Sequence, residues 1–338
     1  MRIGLIGAGN ISDTHARAAA AIPGVAVAAV VGLNPEKTTA LAERYGATPY
    51  SNLAAFLAHR PMDLVAIGSP SGLHAQQAAA AVQQGLHVIV EKPLDIDTDR
   101  IDALIAAADS ARVKVAVFFQ DRLKPATVEL KRALTEGRLG TPVMASGRVK
   151  WYRPPEYYAQ SRWRGTWALD GGGALMNQGI HTVDLLLWLF GPVARVRAAT
   201  RTRLHAIEVE DTAVGILEFE SGALGVIEAT TSAYPGYARR MEVTGAEGTI
   251  VMEDDRIVRT DLRSSSGGGT AAAAAITESA ASPVVSDASA HQRIIEDFIR
   301  AIRSGSPLAC DASEGRRSVA VVQAIYEAAR TGTTVIPR

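Results

Sequence analysis

At 338 residues the chain exceeds the roughly 100 to 200 residues of an ordinary folded unit, so two domains are expected. Thirty-five basic side chains balance thirty-five acidic ones, which removes the global field that draws a protein onto nucleic acid or an anionic membrane. The single cysteine, Cys310, excludes an intramolecular disulfide and a thiolate zinc cluster; with no cleavable leader after Met1 and no apolar window of about 18 residues, a cytoplasmic, soluble protein is expected.

The first 120 or so residues alternate short β-branched runs with helical patterns, the rhythm of a parallel sheet covered by helices. Strands are expected at Arg2 to Gly7, Val25 to Val31, Asp63 to Ser69, His87 to Glu91 and Val113 to Phe118. Helices are expected at Ile11 to Ala21, Pro35 to Tyr45, Leu73 to Gln84 and Thr98 to Ser110. After Lys124 the grammar changes. Helices at Ala126 to Glu136 and Asn177 to Phe190 accompany strand-like stretches at 142–151, 193–204, 211–219, 223–232, 241–244 and 249–253, several joined by glycine turns that suit antiparallel neighbours. Residues 264–289 are Ser, Gly and Ala rich and read as a flexible insertion. Two helices, Ala290 to Arg303 and Glu314 to Thr331, close the chain; the first carries an apolar face of Ile294, Ile295, Phe298, Ile299 and Ile302. The expected domains are 1–122, a Rossmann dinucleotide-binding domain, and 123–338, an α/β domain with an open, mainly antiparallel sheet.

The first strand ends in Gly7-Ala8-Gly9-Asn10-Ile11-Ser12 and a helix follows at once. Gly7 permits the tight turn, Gly9 lets a pyrophosphate approach the backbone, and Ser12 is a small residue where helix meets strand. The helix N-terminus then offers free N–H groups to the phosphates. No carboxylate stands at the end of the second strand, where Gly32-Leu33-Asn34 lies, so nothing repels a 2′-phosphate, and the cofactor reads as NAD or NADP.

Further motifs are Gly68-Ser69-Pro70-Ser71-Gly72-Leu73-His74, Glu91-Lys92-Pro93 and the run Asp170-Gly171-Gly172-Gly173-Ala174-Leu175-Met176-Asn177-Gln178-Gly179-Ile180-His181-Thr182-Val183-Asp184. Together with the glycine loop they make the chain similar, over nearly its whole length and in order, to the Gfo/Idh/MocA oxidoreductases. That resemblance implies a Rossmann domain holding a nicotinamide dinucleotide and a second domain whose open sheet forms a homodimer or homotetramer. It implies hydride transfer at a carbinol carbon of a sugar, sugar derivative or cyclitol. The family's lysine falls on Lys92 and its histidine on His181; its frequent aspartate, four residues earlier, is Asn177 here. Two other activities exist among relatives, an NAD-dependent glycosidase using transient oxidation and a non-catalytic dinucleotide-binding regulator.

The chemistry agrees with these positions. Lys92 follows a parallel strand and can stabilise a developing alkoxide. His181 is the natural proton acceptor, and Asn177 at i, i+4 shares its helix face. Asp184, three residues beyond His181, suits a structural ion pair. The expected cofactor contacts are Gly7, Gly9, Asn10, Ile11, Asn34, Ser69, Pro70, His74, Glu91, Lys92, Gln120 and Arg164, and the substrate contacts are Lys92, Trp163, Asn177 and His181. His15 reads as packing. His205, Glu208, Glu210 and Asp211 match no metal-site spacing, so no metal is expected. Six of the eighteen aromatic residues (Trp151, Tyr152, Tyr157, Tyr158, Trp163 and Trp167) lie between 151 and 167, interleaved with Arg153, Arg162 and Arg164. Such a run suits a substrate and cofactor rim, and its arginines suit an acidic sugar or a nucleotide-sugar phosphate.

Overall fold

The computed structural model describes residues 1–263 and 287–338. The insertion expected over 264–289 lies almost wholly outside the described residues. The chain forms two compact units, one of residues 1–120 with the described part of the segment ending at Arg316, the other of the described residues from Asp121 onward with Arg317–Arg338.

In the first unit six strands run parallel: β1 (Arg2–Ile6), β2 (Ala26–Val31), β3 (Thr48–Tyr50), β4 (Leu64–Ile67), β5 (His87–Val90) and β6 (Val115–Val117), in the order β3-β2-β1-β4-β5-β6. Strands β1, β4 and β5 are apolar on both faces because helices cover both, and Leu5, Val65, Ile67 and Ile89 are fully buried. The strand order reverses between β1 and β4, which opens a crevice at their carboxyl ends. Helices α1 (Asn10–Ala20), α2 (Pro35–Arg44), α3 (Leu53–Leu57), α4 (His74–Gln83) and α5 (Thr98–Ala111) make the crossovers. The three-residue β3 and five-residue α3 escape the sequence reading, being too short to show a period.

One expectation is corrected. The sequence assigns everything after residue 122 to the second domain, yet the helix Ser289–Ser304 belongs to the first unit, where Ile294, Ile295, Phe298 and Ile299 are buried. An amphipathic stripe announces that a helix needs a partner without saying which.

The second unit holds helix α6 (Pro125–Thr135), strand β7 (Pro142–Lys150), helix α7 (Pro155–Ala159), helix α8 (Ile180–Phe190) and strands β8 (Val193–Arg201), β9 (Thr212–Phe219), β10 (Leu224–Thr230), β11 (Arg240–Gly245), β12 (Gly248–Glu253) and β13 (Arg256–Leu262). The sheet order is β13-β12-β11-β7-β10-β9-β8, antiparallel throughout except for the parallel β7–β10 pair. The edge strand β13, absent from the sequence reading, carries Arg256, Arg259 and Asp261 instead of a clean apolar alternation. The helix Ser289–Ser304 becomes α9, and α10 (Ala312–Thr331) closes the chain. Helix α8 is apolar almost all round and buried almost all round, from Ile180 to Phe190. Its one carboxylate, Asp184, is 1% exposed and takes a bidentate pair from the buried Arg122, Nε to Oδ2 at 2.8 Å and Nη2 to Oδ1 at 2.6 Å. The structural role expected for Asp184 is therefore what the geometry shows. Among the described residues no helix is long and apolar enough to cross a membrane.

Candidate active site

The glycine turn after β1 is built for close approach. Gly7 has φ of +112°, and a Cβ there would stand 2.7 Å from the carbonyl oxygen of Gly68 at the end of β4. A Cβ on Gly9 would meet nothing within 4 Å, so the crest over the start of α1 is open. Helix α1 has no side chain capping its N-terminus, which leaves its first N–H groups to a ligand, and Ser12 Oγ is buried beneath them without a partner. An open crest, uncapped donors and an orphan hydroxyl fit the pyrophosphate of a dinucleotide.

Asn34, at the end of β2, uses its Oδ1 to accept the Lys37 N–H at 2.9 Å and so caps α2. Leu33 beside it is exposed. Asn34→Asp keeps that cap and adds a charge; it should shift the NAD to NADP preference by about tenfold or more toward NAD through repulsion of a 2′-phosphate, read as the ratio of kcat/KM for the two cofactors.

At the ends of β4 and β5 most of the expected contacts have internal partners. Ser69 Oγ donates to Gln77 Oε1 at 2.6 Å. His74 is buried with both ring nitrogens on backbone carbonyls. Glu91 turns inward: Oε1 lies 2.9 Å from His15 Nε2 and 3.4 Å from His291 Nε2, while Oε2 accepts the Lys92 N–H at 3.1 Å. Burial opposes ionisation of Glu91, but the two imidazoles outweigh it and hold the carboxyl well below its ordinary range. His15, expected as packing, stacks on Phe118 with ring centroids 4.4 Å apart and also bonds Glu91. His15, Glu91 and His291 form the one group of metal-type ligands among the described residues. Nδ1 of both histidines lacks a partner, whereas metal-bound imidazoles normally donate that second N–H to a fixed acceptor, so the cluster reads as hydrogen-bonded. Gln120 keeps a buried Oε1 without a partner.

In the second unit the glycine triplet leads into a wide π-helical turn, Ala174–Gly179, ahead of α8; the sequence reading had one helix beginning at Asn177. Such turns occur often at functional sites. The triplet also has a different reason from the close ligand approach the sequence suggests. A Cβ on Gly172 would stand 2.1 Å from the Tyr326 hydroxyl, and one on Gly173 would stand 1.8 Å from the Glu210 carbonyl. Protein fills that space. Glu210 accepts the N–H groups of Gly173 and Leu175 and the Tyr326 hydroxyl, at 2.9, 2.8 and 3.0 Å, and so anchors the turn. Burial pushes its carboxyl up to about 7 against the pull of those donors. Glu208 caps the Trp167 N–H and Asp211 gathers the N–H groups of Arg203, Leu204 and His205, which explains this acidic run without a metal.

Asn177 Nδ2 donates to Asp170 Oδ1 at 2.6 Å, and its Oδ1 accepts from Gln178 Nε2 at 3.2 Å. Gln178 also bonds the Tyr157 hydroxyl and receives Arg153 Nη2. The Arg153 guanidinium, although only 2% of the residue is exposed, lies over Trp151 and Tyr157. Arg164 stacks on Tyr157 at 4.4 Å and Trp163 at 5.3 Å, and its buried Nε has no partner. The aromatic and arginine run thus joins the turn that bears Asn177. Trp167 instead meets Tyr326 edge-on.

His181 side chain is 13% exposed, and its Nδ1 lies 3.9 Å from Asp121 Oδ2. Burial works against the Asp121 charge, but Arg239, then Lys124 and His181, hold it well below the ordinary carboxylate range. The sequence reading missed Asp121. Its only signal was a carboxylate within the Gln120-Asp121-Arg122 segment that follows β6.

A parallel sheet in Rossmann order with an open phosphate cradle, and a second unit presenting a carboxylate-backed histidine, define a dinucleotide-dependent oxidoreductase. Residues 1–119 match the model of the oxidoreductase family with an NAD-binding Rossmann fold, and residues 127–251 match the GFO/IDH/MocA C-terminal domain. The chain belongs to the Gfo/Idh/MocA family. It is 30% identical to D-apiose dehydrogenase of Paraburkholderia graminis, over 98% of this chain and 88% of that one. It is 27% identical to inositol 2-dehydrogenase of Rhizobium meliloti, covering 96% and 95% of the two chains. Among solved structures, the WlbA dehydrogenase of Bordetella pertussis in complex with NADH and UDP-GlcNAcA superposes with a TM-score of 0.89 at 34% identity, covering 100% of this chain and 98% of that one.

Proposed function

We propose that the protein is an NAD(P)-dependent dehydrogenase acting on a carbinol carbon of a sugar, sugar derivative or cyclitol, with Lys92 and His181 handling the reacting hydroxyl. The observation that carries this reading is the imidazole of His181 beside an ionised Asp121, a pairing that favours proton acceptance. The nicotinamide, when bound, supplies hydride acceptance or donation at its C4. Lys92 donates to the substrate oxygen and offsets the charge that develops there; His181 takes the hydroxyl proton in oxidation and returns it in reduction. Asn177, its amide orientation fixed by Asp170 and Gln178, positions a neighbouring substrate group. Arg164, already stacked on two rings, suits an anionic substituent. The dehydrogenases that resemble the chain act, by their names, on a branched pentose and a cyclitol, and one binds a nucleotide-sugar acid. The test is a spectrophotometric screen of sugars, uronic acids, cyclitols and nucleotide sugars for reduction of NAD and NADP. Turnover on one of these classes supports the proposal, and binding without turnover across all of them counts against it.

The open sheet face supports a homodimer or homotetramer. Helices α8 and α10 cover one face, while Met144, Val214, Ile216 and Leu224 lie half-exposed on the other, in register across β7, β10 and β9. Ile216→Lys should shift the assembly to a smaller species in light scattering, with circular dichroism unchanged.

A further inference from the structure

The loop that follows β5 carries Lys92, and its backbone is gripped from both sides. Before Lys92, the Glu91 carboxylate accepts the Lys92 N–H at 3.1 Å. After it, His74 Nδ1 lies 2.7 Å from the Pro93 carbonyl oxygen, and His74 Nε2 lies 2.9 Å from the Ser69 carbonyl oxygen at the exit of β4. His74 is 1% exposed, so no water competes for either nitrogen. Both acceptors are carbonyls that can only receive. A neutral imidazole donates to one and an imidazolium to both, and the shorter contact marks Nδ1 as the donor that either state can keep. Asp95, buried in the same loop, accepts the N–H of Ala75 at 2.9 Å and pairs with Arg100 at 2.7 Å, so the start of α4 and the Lys92 loop are locked as one piece. Without a side chain at position 74, the Pro93 carbonyl would lose its buried donor and the Lys92 ammonium its fixed origin.

We propose that His74 is a positioning residue for Lys92, acting through the hydrogen bond from its Nδ1 to the Pro93 carbonyl. This rests on the reading of Lys92 as the residue that stabilises charge on the substrate oxygen. His74 itself touches neither substrate nor the reacting atoms. An error of about 1 Å in the placement of a catalytic group costs on the order of 100-fold in rate, so a backbone clamp is enough to matter.

The experiment is a double-mutant cycle on the full-length enzyme. His74→Ala, His74→Asn and His74→Gln are made alone and with Lys92→Ala, and kcat, substrate KM and dinucleotide Kd are measured for each. Asparagine places its amide nitrogen near the Nδ1 position and glutamine near Nε2. His74→Ala and His74→Gln should lower kcat by about tenfold or more with dinucleotide Kd nearly unchanged, and His74→Asn should recover most of that loss. In the Lys92→Ala background none should lower the residual turnover further. Equal losses for His74→Asn and His74→Gln would overturn the proposal, and this comparison stands even where His74→Ala fails to fold. So would a further loss in the Lys92→Ala background as large as that seen alone, which would mark a purely structural role. Undiminished turnover of Lys92→Ala alone overturns the reading of Lys92 and this proposal with it, whereas additivity with Lys92 essential overturns the proposal only.

Discussion

His181→Ala should lower kcat by about 10² to 10⁴ while leaving dinucleotide affinity nearly unchanged, because general acid–base transfer is worth about that much. The imidazole lies beside the Asp121 carboxylate, which Arg239 and Lys124 keep ionised despite its burial. Removing the ring leaves the charge network intact, so the loss should fall on the proton step and not on folding. Asp121→Asn should reproduce part of the loss by removing the negative charge that favours imidazolium. Steady-state kinetics with dinucleotide titrations in parallel separates the two, since an equal fall in kcat and kcat/KM marks an interaction made in the transition state.

Asp184→Ala should be the most destabilising of these changes, costing about 3 to 5 kcal/mol, because it strands the Arg122 guanidinium in a site where it is only 2% exposed. Asp184 Oδ1 also receives the Ser318 hydroxyl at 3.2 Å, which adds a second orphan. A paired replacement, Arg122→Met with Asp184→Leu, should recover most of the loss, since an apolar pair of similar volume is often as stable as a buried ion pair. Denaturant midpoints for the two variants decide the matter. If the paired replacement is as unstable as Asp184→Ala, the stranded charge is not the cause.

Local chemistry was legible in the sequence wherever a residue type has one physical use. Gly7 and Gly9 could be placed because a tight turn and a close phosphate leave no room for a Cβ, and the parallel strands could be read from unbroken apolar runs. Asp184 could be read as structural because a carboxylate in an apolar helix needs a buried partner, although Arg122 could not be named. What escaped depends on partners distant in the chain. Nothing near His15 announces Glu91, 76 residues later, or His291 on a helix beyond the insertion. The unit to which α9 belongs is hidden for the same reason. The glycine triplet was noticed but misread, since Tyr326 and Glu210, the groups that demand it, lie far along the sequence. Asp121 escaped because a lone carboxylate after a strand has many uses, and only the fold brings it to His181.

The central claim is direct hydride exchange between a carbinol carbon and the nicotinamide. It is tested by turning over a substrate deuterated at that carbon and determining where the label goes. Deuterium should appear at C4 of the reduced dinucleotide, on one face, with none lost to water. Substrate consumed with the label released to solvent, or with glycosidic cleavage and no net reduction of the dinucleotide, would contradict the account.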